Sequence, residues 1–406
     1  MRTFFVCAAL AVVLPASARA QTVTLTESEV LAQLGTASPR VLAARAGVDV
    51  ARADVLAAAR WPNPRVTFNR EAVAGVAENM LMVSQVLPIT GRRRFEVSAA
   101  TARVAASSSR ADDQLRRVRA DVRLAYTDLW AAQERERELA RSRDRLNELA
   151  GILGRREAAG DAAGFDRLRA EREVFDVEAN RAMAMTERAQ AQAILTGFLA
   201  APRDAALIEA VRPAAPNAVL PSVDELVARA ETSRGDLIAL ARDLEAAGFA
   251  ERAAGRRVIP EPEMVAGTKT SNAAGGDAGS IVSVHVAIPL FDRARPERAT
   301  AEARARQART EADVLRQTIR GQIAAWRAAV VERRAIAARH RAALSAGTAE
   351  IERNAQVSYE AGERGILELL DAYRTGSAAL VRQAGLDAAA REAEIELEFV
   401  SGWEIP

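Results

Sequence analysis

The sequence predicts a mainly α-helical protein of two similar halves, each with a pair of β-strands and a long antiparallel helical hairpin. Residues 158–170 and 359–373 share one pattern about 200 positions apart, a glycine turn followed by an acidic residue and a leucine. Apolar residues keep a heptad spacing over roughly 60 residues before each turn. A pair of segments that alternate apolar and polar residues precedes each of these helical stretches. The chain is therefore interpreted as a duplicated structural unit.

Composition limits the classes of protein to which the chain can belong. Aromatic side chains make up only 4% of the 406 residues, which favours extended helix packing over one large globular core. The 56 basic and 54 acidic residues give a net charge of +2, so no nucleic-acid partner is expected. The sequence has no nucleophile paired with a base, no phosphate-binding glycine loop and no paired cysteines. We therefore expect no enzyme activity, no catalytic residue, no cofactor and no metal site.

Residues 1–20 have the features of a secretory signal peptide. A basic start and a short apolar run precede Ala18-Arg19-Ala20, a small-x-small cleavage site, so the mature chain is expected to begin near Gln21. The only cysteine, Cys7, lies in the segment that would be removed. A lipoprotein signal with Cys7 acylated is the less favoured alternative, because only six residues precede it.

The first structural repeat is expected to span residues 21–201. A helical pattern between Thr26 and Arg60 ends before a proline pair, and two strand-like segments follow it. The next helical pattern starts at Arg92 and, at roughly 60 residues, would reach on the order of 90 Å. The predicted strands are residues 65–74 and 80–88, and the predicted tip of the hairpin lies near residues 158–165.

The second structural repeat is expected to span residues 222–403, after a proline-rich linker of residues 202–221 in the equatorial region. It begins with a helical pattern from Val223 to Arg257, within which Arg234-Gly235-Asp236 has the pattern of a helix start. The predicted strands are residues 263–270 and 280–290, and the predicted tip lies near residues 359–366.

The predicted strands have one apolar and one polar face. Val66 and Phe68 alternate with polar residues in the first strand, and residues 280–290 alternate in the same way. Strands of about 9 to 11 residues suit a tilted crossing of a bilayer, but the smallest closed barrels use about 8 strands. Four strands cannot close a barrel, whereas a cyclic ring of three copies would supply about 12.

Three motifs, together with the order of elements, carry a resemblance to a known family. They are QVLPITGRR at Gln85–Arg93, VAIPLFDRAR at Val286–Arg295 and YEAGERGILELLDA at Tyr359–Ala372. Over essentially the whole mature chain, the sequence resembles the TolC family of outer membrane efflux proteins.

The resemblance implies a homotrimer with a 12-strand β-barrel in contact with the lipid of a Gram-negative outer membrane, continued by a periplasmic α-helical barrel of long antiparallel coiled-coil helices. It implies a passive exit duct of a tripartite efflux pump or a type I secretion system. The implied partners are a periplasmic adaptor (membrane fusion) protein and an inner-membrane transporter, and the sequence leaves the substrate open. The alternative is a soluble periplasmic coiled-coil adaptor or scaffold protein, which would share the export signal and the heptads.

The second tip contains the candidate selectivity residues. Glu368 and Asp371 stand three positions apart, on one helical face just after the turn. The resemblance implies that threefold symmetry gathers these carboxylates into an acidic ring at the periplasmic entrance, which would favour cations. The alternative is an ordinary solvated helix face.

The resemblance also implies that Tyr359, Arg364 and Asp166 provide the polar links that close the entrance. A tyrosine hydroxyl and an arginine can both donate hydrogen bonds to a carboxylate. Phe165 departs from the small polar residue of the family pattern, and the alternative for Tyr359 is simple packing at the end of a helix.

The remaining site prediction concerns docking at the tips. In the family, hairpins of the adaptor pack into grooves around such tips. The resemblance therefore implies adaptor contacts at Arg155, Arg156, Gly160 and Gly362.

Overall fold

The computed structural model describes residues 23–35, 38–160, 164–199, 204–214 and 218–405, and every structural statement below refers to these. The predicted signal peptide with its cleavage site, residues 161–163 of the first tip and part of the 202–221 linker lie outside the described residues.

Eight helices and six strands are found in the described ranges. The helices are α1 (Glu27–Ala32), α2 (Pro39–Ala59), α3 (Arg92–Ala159), α4 (Gly164–Thr196), α5 (Val223–Ser233), α6 (Gly235–Arg256), α7 (Arg295–Glu360) and α8 (Ile366–Ser401). The strands are β1 (Val23–Leu25), β2 (Arg65–Val73), β3 (Val76–Val86), β4 (Ile208–Ala210), β5 (Glu263–Ser271) and β6 (Asp277–His285).

The predicted mainly helical fold with a few antiparallel strands is confirmed. The long helices α3 and α7 contain 68 and 66 residues, so each extends about 100 Å. None of the helices within the described ranges carries an apolar stretch long enough to cross a membrane.

Residues 223–257 divide into two helices at Arg234, where the sequence has the pattern of a helix start. The Arg234 side chain is buried and donates to Asp236 Oδ2 at 2.5 Å and to the Val400 carbonyl at 3.4 Å. Gly235 is the first residue of α6 and lies directly against α3. A Cβ atom at this position would overlap the Ser109 carbonyl oxygen and lie 3.0 Å from Asp113 Cβ. The break therefore brings α6 close to α3.

Two strands have boundaries that differ from the predicted ones. β3 begins at Val76 instead of residue 80, because the turn before it is confined to Ala74 and Gly75, both with positive φ. β6 runs from Asp277 to His285, because its partner β5 begins at Glu263, the residue opposite His285.

The four longer strands form one antiparallel sheet in the order β2, β3, β5, β6. The central pair, β3 with β5, joins the two halves of the chain, with Val86 opposite Glu263 and Glu78 opposite Ser271. In an antiparallel sheet, directly opposed residues lie on the same face. One face carries a continuous apolar patch of exposed side chains: Val66, Phe68, Leu81, Val83, Met264, Val282 and Val284.

The opposite face of the sheet is richer in polar groups. It includes Thr67 and Asn69 of β2 and Ser283 and His285 of β6. Lys269 Nζ lies 2.6 Å from Glu78 Oε2 on this face. The division into an apolar and a polar face agrees with the alternation seen in the sequence.

A second, small sheet lies midway along the long helices and was not predicted. β1 pairs in parallel with β4, Val23 opposite Ile208. The buried hydroxyl of Tyr126 on α3 lies 2.8 Å from the Leu25 carbonyl and 2.7 Å from the Val211 carbonyl, so it donates between the two strands. Burial raises the pKa of Tyr126 to about 12, an effect that Glu27 and Glu29 add to and that the Val211 carbonyl opposes.

We expect Tyr126→Phe to lower the free energy of unfolding by about 1 to 3 kcal/mol, because the Val211 carbonyl loses its donor and the Leu25 carbonyl keeps only the Val211 N–H. The measurement is urea unfolding followed by circular dichroism, with Tyr373→Phe as the control. Unfolded tyrosine titrates near about 10, whereas native Tyr126 titrates near 12. The native hydroxyl therefore stabilises the fold below pH 10, and this contribution falls as the pH rises towards 12. A difference between Tyr126→Phe and the parent that is the same at pH 8 and above pH 11 would contradict this.

Candidate functional site

The tips of the two long hairpins are held together by one apolar cluster. It is formed by buried side chains of α3, α4 and α8: Leu146, Leu149, Leu153, Ala170, Val174, Ile366, Leu369 and Leu370. These residues follow the heptad spacing that the sequence predicted for helical hairpins. The cluster fixes the α7–α8 hairpin beside the α3–α4 hairpin.

The first tip closes around Gly160, which ends α3 with a φ of 84°. Its N–H donates to the last turn of α3, as is usual for a glycine with positive φ at a helix end. α4 begins at Gly164, where a Cβ atom would overlap Glu157 Oε1. Arg167 Nε donates to Glu157 Oε2 at 2.6 Å, so an ion pair joins the two helices at the turn.

The second tip turns through Gly362, which has a φ of 73°. The Ser358 carbonyl accepts hydrogen bonds from the N–H groups of Glu363 at 2.9 Å and Arg364 at 3.2 Å. Gly365 then precedes the first residue of α8. Both tips therefore depend on glycine in a conformation that other residues adopt at a cost.

The structure brings Tyr359 close to the first tip. The Arg156 side chain and Asp166 both lie near enough to the Tyr359 hydroxyl to act on it electrostatically. Burial raises the pKa of the Tyr359 hydroxyl, Asp166 raises it further, and Arg156 opposes both. Within the described residues, Arg364 forms no ion pair, and its backbone N–H donates to the Ser358 carbonyl. Two of the three predicted gate residues, Tyr359 and Asp166, thus lie near each other within one chain.

Arg156, which the sequence analysis predicts as an adaptor contact, also lies beside Tyr359. The sequence analysis did not predict that these two residues lie together, although the internal duplication places them at the same level. An offset of about 200 residues places Arg156 level with Ser358, the neighbour of Tyr359. Arg155, Gly160 and Gly362 are exposed at the tips.

Glu368 and Asp371 both lie exposed in the first two turns of α8. Asp371 Oδ1 accepts from Arg374 at 2.6 Å, and both of these side chains are more than 60% exposed. An ion pair so open to solvent is weak. Arg374 therefore offsets part of the negative charge on this face, which the sequence analysis did not consider.

The fold and the tips together define a class of protein. It is a duplicated helical-hairpin protein in which an antiparallel sheet and a pair of tips lie at opposite ends of helices about 100 Å long. The sheet presents an exposed apolar face, and the tips present exposed charged groups.

Comparison with known proteins relates part of the sequence to a family and the whole fold to solved structures. The sequence model described as outer membrane efflux protein matches residues 30–201, which include β2, β3 and the first long hairpin. No curated protein matches the chain by sequence.

Solved structures share the fold over nearly the whole chain. A membrane protein from Pseudomonas aeruginosa is 21% identical with a TM-score of 0.77, covering 93% of both chains. The outer membrane protein VceC from Vibrio cholerae is 18% identical with a TM-score of 0.74, covering 94% of this chain and 97% of its own. The open state of the MtrE outer membrane channel from Neisseria gonorrhoeae is 18% identical with a TM-score of 0.72, covering 93% of this chain and 89% of its own.

Residues 30–201 thus match the outer membrane efflux protein family, and nearly the whole chain shares the fold of the solved outer membrane proteins. The resemblance seen in the three sequence motifs is thereby confirmed.

Proposed function

We propose that this protein is the outer membrane exit duct of a tripartite efflux pump or type I secretion system. The observation that carries the proposal is the placement of an apolar-faced sheet at one end of two helices of about 100 Å and of charged tips at the other. A sheet with such a face suits lipid, and helices of this length suit the periplasm.

The sheet supports a ring of three chains. Its edge strands β2 and β6 each pair on one side only within the chain, which leaves two edges free to pair with neighbouring copies. Four strands are too few to close a barrel, and three copies would contribute about 12. In the proposed homotrimer the apolar face contacts outer membrane lipid, and the face with Lys269 and Glu78 lines the lumen.

The tips are the proposed periplasmic entrance. Glu368 and Asp371 from three chains would form an acidic ring that attracts cations. Tyr359, with Arg156 and Asp166 beside it, is the proposed link that closes the entrance within each chain. Arg364, which is exposed, is proposed to reach the neighbouring chain.

The duct is proposed to work with two partner proteins. A periplasmic adaptor would dock around the tips at Arg155, Arg156, Gly160 and Gly362, and an inner-membrane transporter would supply the energy. MtrE, which shares the fold, is itself named an outer membrane channel. The duct is proposed to conduct passively, so the substrate class would be decided mainly by the transporter.

A soluble periplasmic adaptor or scaffold explains the structure less well. Such a protein has no use for an exposed apolar patch over four strands at one end of both hairpins. Whole-chain similarity to outer membrane channels also favours the duct.

Cysteine labelling tests the proposed orientation. Because the only cysteine lies in the predicted signal, the mature chain offers no background thiol. We expect Asp277→Cys, exposed beside the β5–β6 turn, to react on intact cells with a maleimide too large to pass porins. Glu363→Cys, exposed at the second tip, should react only after the outer membrane is permeabilised. If both variants need permeabilisation, the soluble alternative is favoured.

Planar-bilayer conductance tests the channel and the proposed gate together. The parent should give a small single-channel conductance, and a Tyr359→Phe, Arg364→Ser double variant should give one several-fold larger, because the closing links are removed. Arg353→Ser, which removes an exposed arginine of α7 one and a half turns from Tyr359, is the matched control. Equal conductance in the parent and the double variant would refute the gate, and no conductance from a folded parent would refute the channel.

The acidic ring predicts the ion selectivity of the channel. Glu368→Gln with Asp371→Asn should reduce cation selectivity, measured as the reversal potential in a salt gradient, and should weaken block by a trivalent cation added on the side of the tips. Glu363→Gln keeps both ring positions and removes an exposed carboxylate of the same tip, so it serves as the control. Unchanged selectivity in the double variant would leave the solvated-face alternative.

A further inference from the structure

A side chain of α7 passes α8 to reach α3, roughly 20 Å along α3 from the turn at Gly160. α8 packs against both α3 and α7 over much of its length, so it lies between them. Glu352 of α7 nevertheless accepts from Arg145 of α3, with Arg145 Nη1 at 2.8 Å from Glu352 Oε2. The two partners are separated by 207 residues in sequence. This contact joins the two hairpins directly.

The Glu352 side chain can pass α8 because residue 376 of α8 is glycine. A Cβ atom at Gly376 would overlap Glu352 Oε1, would lie 3.1 Å from Glu352 Cδ and would lie 3.3 Å from Thr348 Cγ2. Gly376 is a buried helical residue without a positive φ, so its backbone conformation does not require glycine. Space for the Glu352 carboxylate is therefore what the glycine provides.

The surroundings of the ion pair strengthen it. Only 18% of the Glu352 side chain and 34% of the Arg145 side chain are exposed, so solvent screens the pair less than a surface pair. The Tyr373 ring, one turn before Gly376, lies 5.6 Å from Arg145 Cζ, close enough for a cation–π contact. Breaking the pair would leave a partly buried charge on each hairpin without its partner.

The pair lies at the opposite end of the apolar cluster from Tyr359. Along α3, Arg145 directly precedes the cluster residues Leu146 to Leu153, and Arg156 follows them. The α7–α8 hairpin is thus fastened to α3 on both sides of the cluster. Movement of this hairpin away from α3 would have to break both fastenings.

We propose that Arg145, Glu352 and Gly376 form a second latch that holds the entrance closed, with Gly376 as the positioning residue. The inference rests on the proposed channel function. It adds a contact between the two hairpins that involves none of the predicted gate residues. With this latch in place, the tips can open only if the Glu352 side chain leaves its position beside α8.

Two glycine-to-alanine variants of α8 test the latch. We expect Gly376→Ala to displace the Glu352 carboxylate and to raise single-channel conductance several-fold. Gly385→Ala is the matched control, because a Cβ atom there would meet nothing within 4 Å. Alanine favours the helix equally at both positions, so a difference between the two variants reports on Glu352 and not on helix propensity.

Charge variants separate the ion pair from simple packing. Glu352→Gln, which keeps the size of the side chain, and Arg145→Gln, which shortens it but keeps it polar, should both raise conductance. The exchange of both residues, Arg145→Glu with Glu352→Arg, should restore a conductance near that of the parent. Circular dichroism and the melting temperature confirm that each variant is folded before its conductance is compared.

The outcomes distinguish this inference from the proposed function. A parent that conducts and a Gly376→Ala variant with the same conductance would overturn the latch and leave the channel intact. A folded parent that does not conduct would overturn the channel and the latch with it. If Gly376→Ala opens the channel but the exchanged pair does not close it, the assignment of the ion pair is overturned.

Discussion

The packing of other helices against α3 is the constraint on which the rest of the structure depends. α3 contacts α2, α4, α6 and α8, and thereby touches helices of both halves of the chain. Alanines supply much of its buried surface between Ala99 and Ala132. Because alanine adds little bulk between helix axes, neighbouring helices can approach closely. The two halves are joined along this helix as well as through the β3–β5 strand pair.

Heptad spacing alone would allow the helices to align along one another in several ways, and ion pairs select one of these alignments. At the level of the small sheet, Glu27 of α1 accepts from Arg123 of α3 at 2.5 Å and from Arg391 of α8 at 3.1 Å. Arg391 also reaches Glu394, which accepts from Arg334 of α7 at 2.6 Å. These groups are largely shielded from solvent, so a shift of one helix along another would leave charges unpaired. The middle of the molecule is thereby fixed.

The tips are fastened by fewer and more accessible interactions than the middle. One apolar cluster, the Arg156 contact with Tyr359 and the Arg145 contact with Glu352 hold the two hairpins together there. If the tips form the proposed entrance, the closed state should be favoured by only a few kcal/mol, so that it can open. A small set of partly exposed polar contacts is consistent with that requirement, whereas the buried charge network of the middle is not.

The sequence by itself determined the element types, the duplication and the position of the tips. These features are local: heptad spacing specifies long helices, alternation specifies strands, and glycine marks the turns at residues 160 and 362. The resemblance to the efflux protein family followed from the motifs for the same reason. Such patterns involve residues close together along the chain, and so they can be recognised without knowing the fold.

Only the tertiary structure decided which distant residues meet. The partners Arg156 and Tyr359, Arg145 and Glu352, and the strands β1 and β4 are each separated by far more than one element. Their pairing depends on how each helix is rotated and how far it is shifted along its neighbour. With arginine so common in the chain, many ion pairs are compatible with the sequence, and close packing at residues such as Gly376 selects among them.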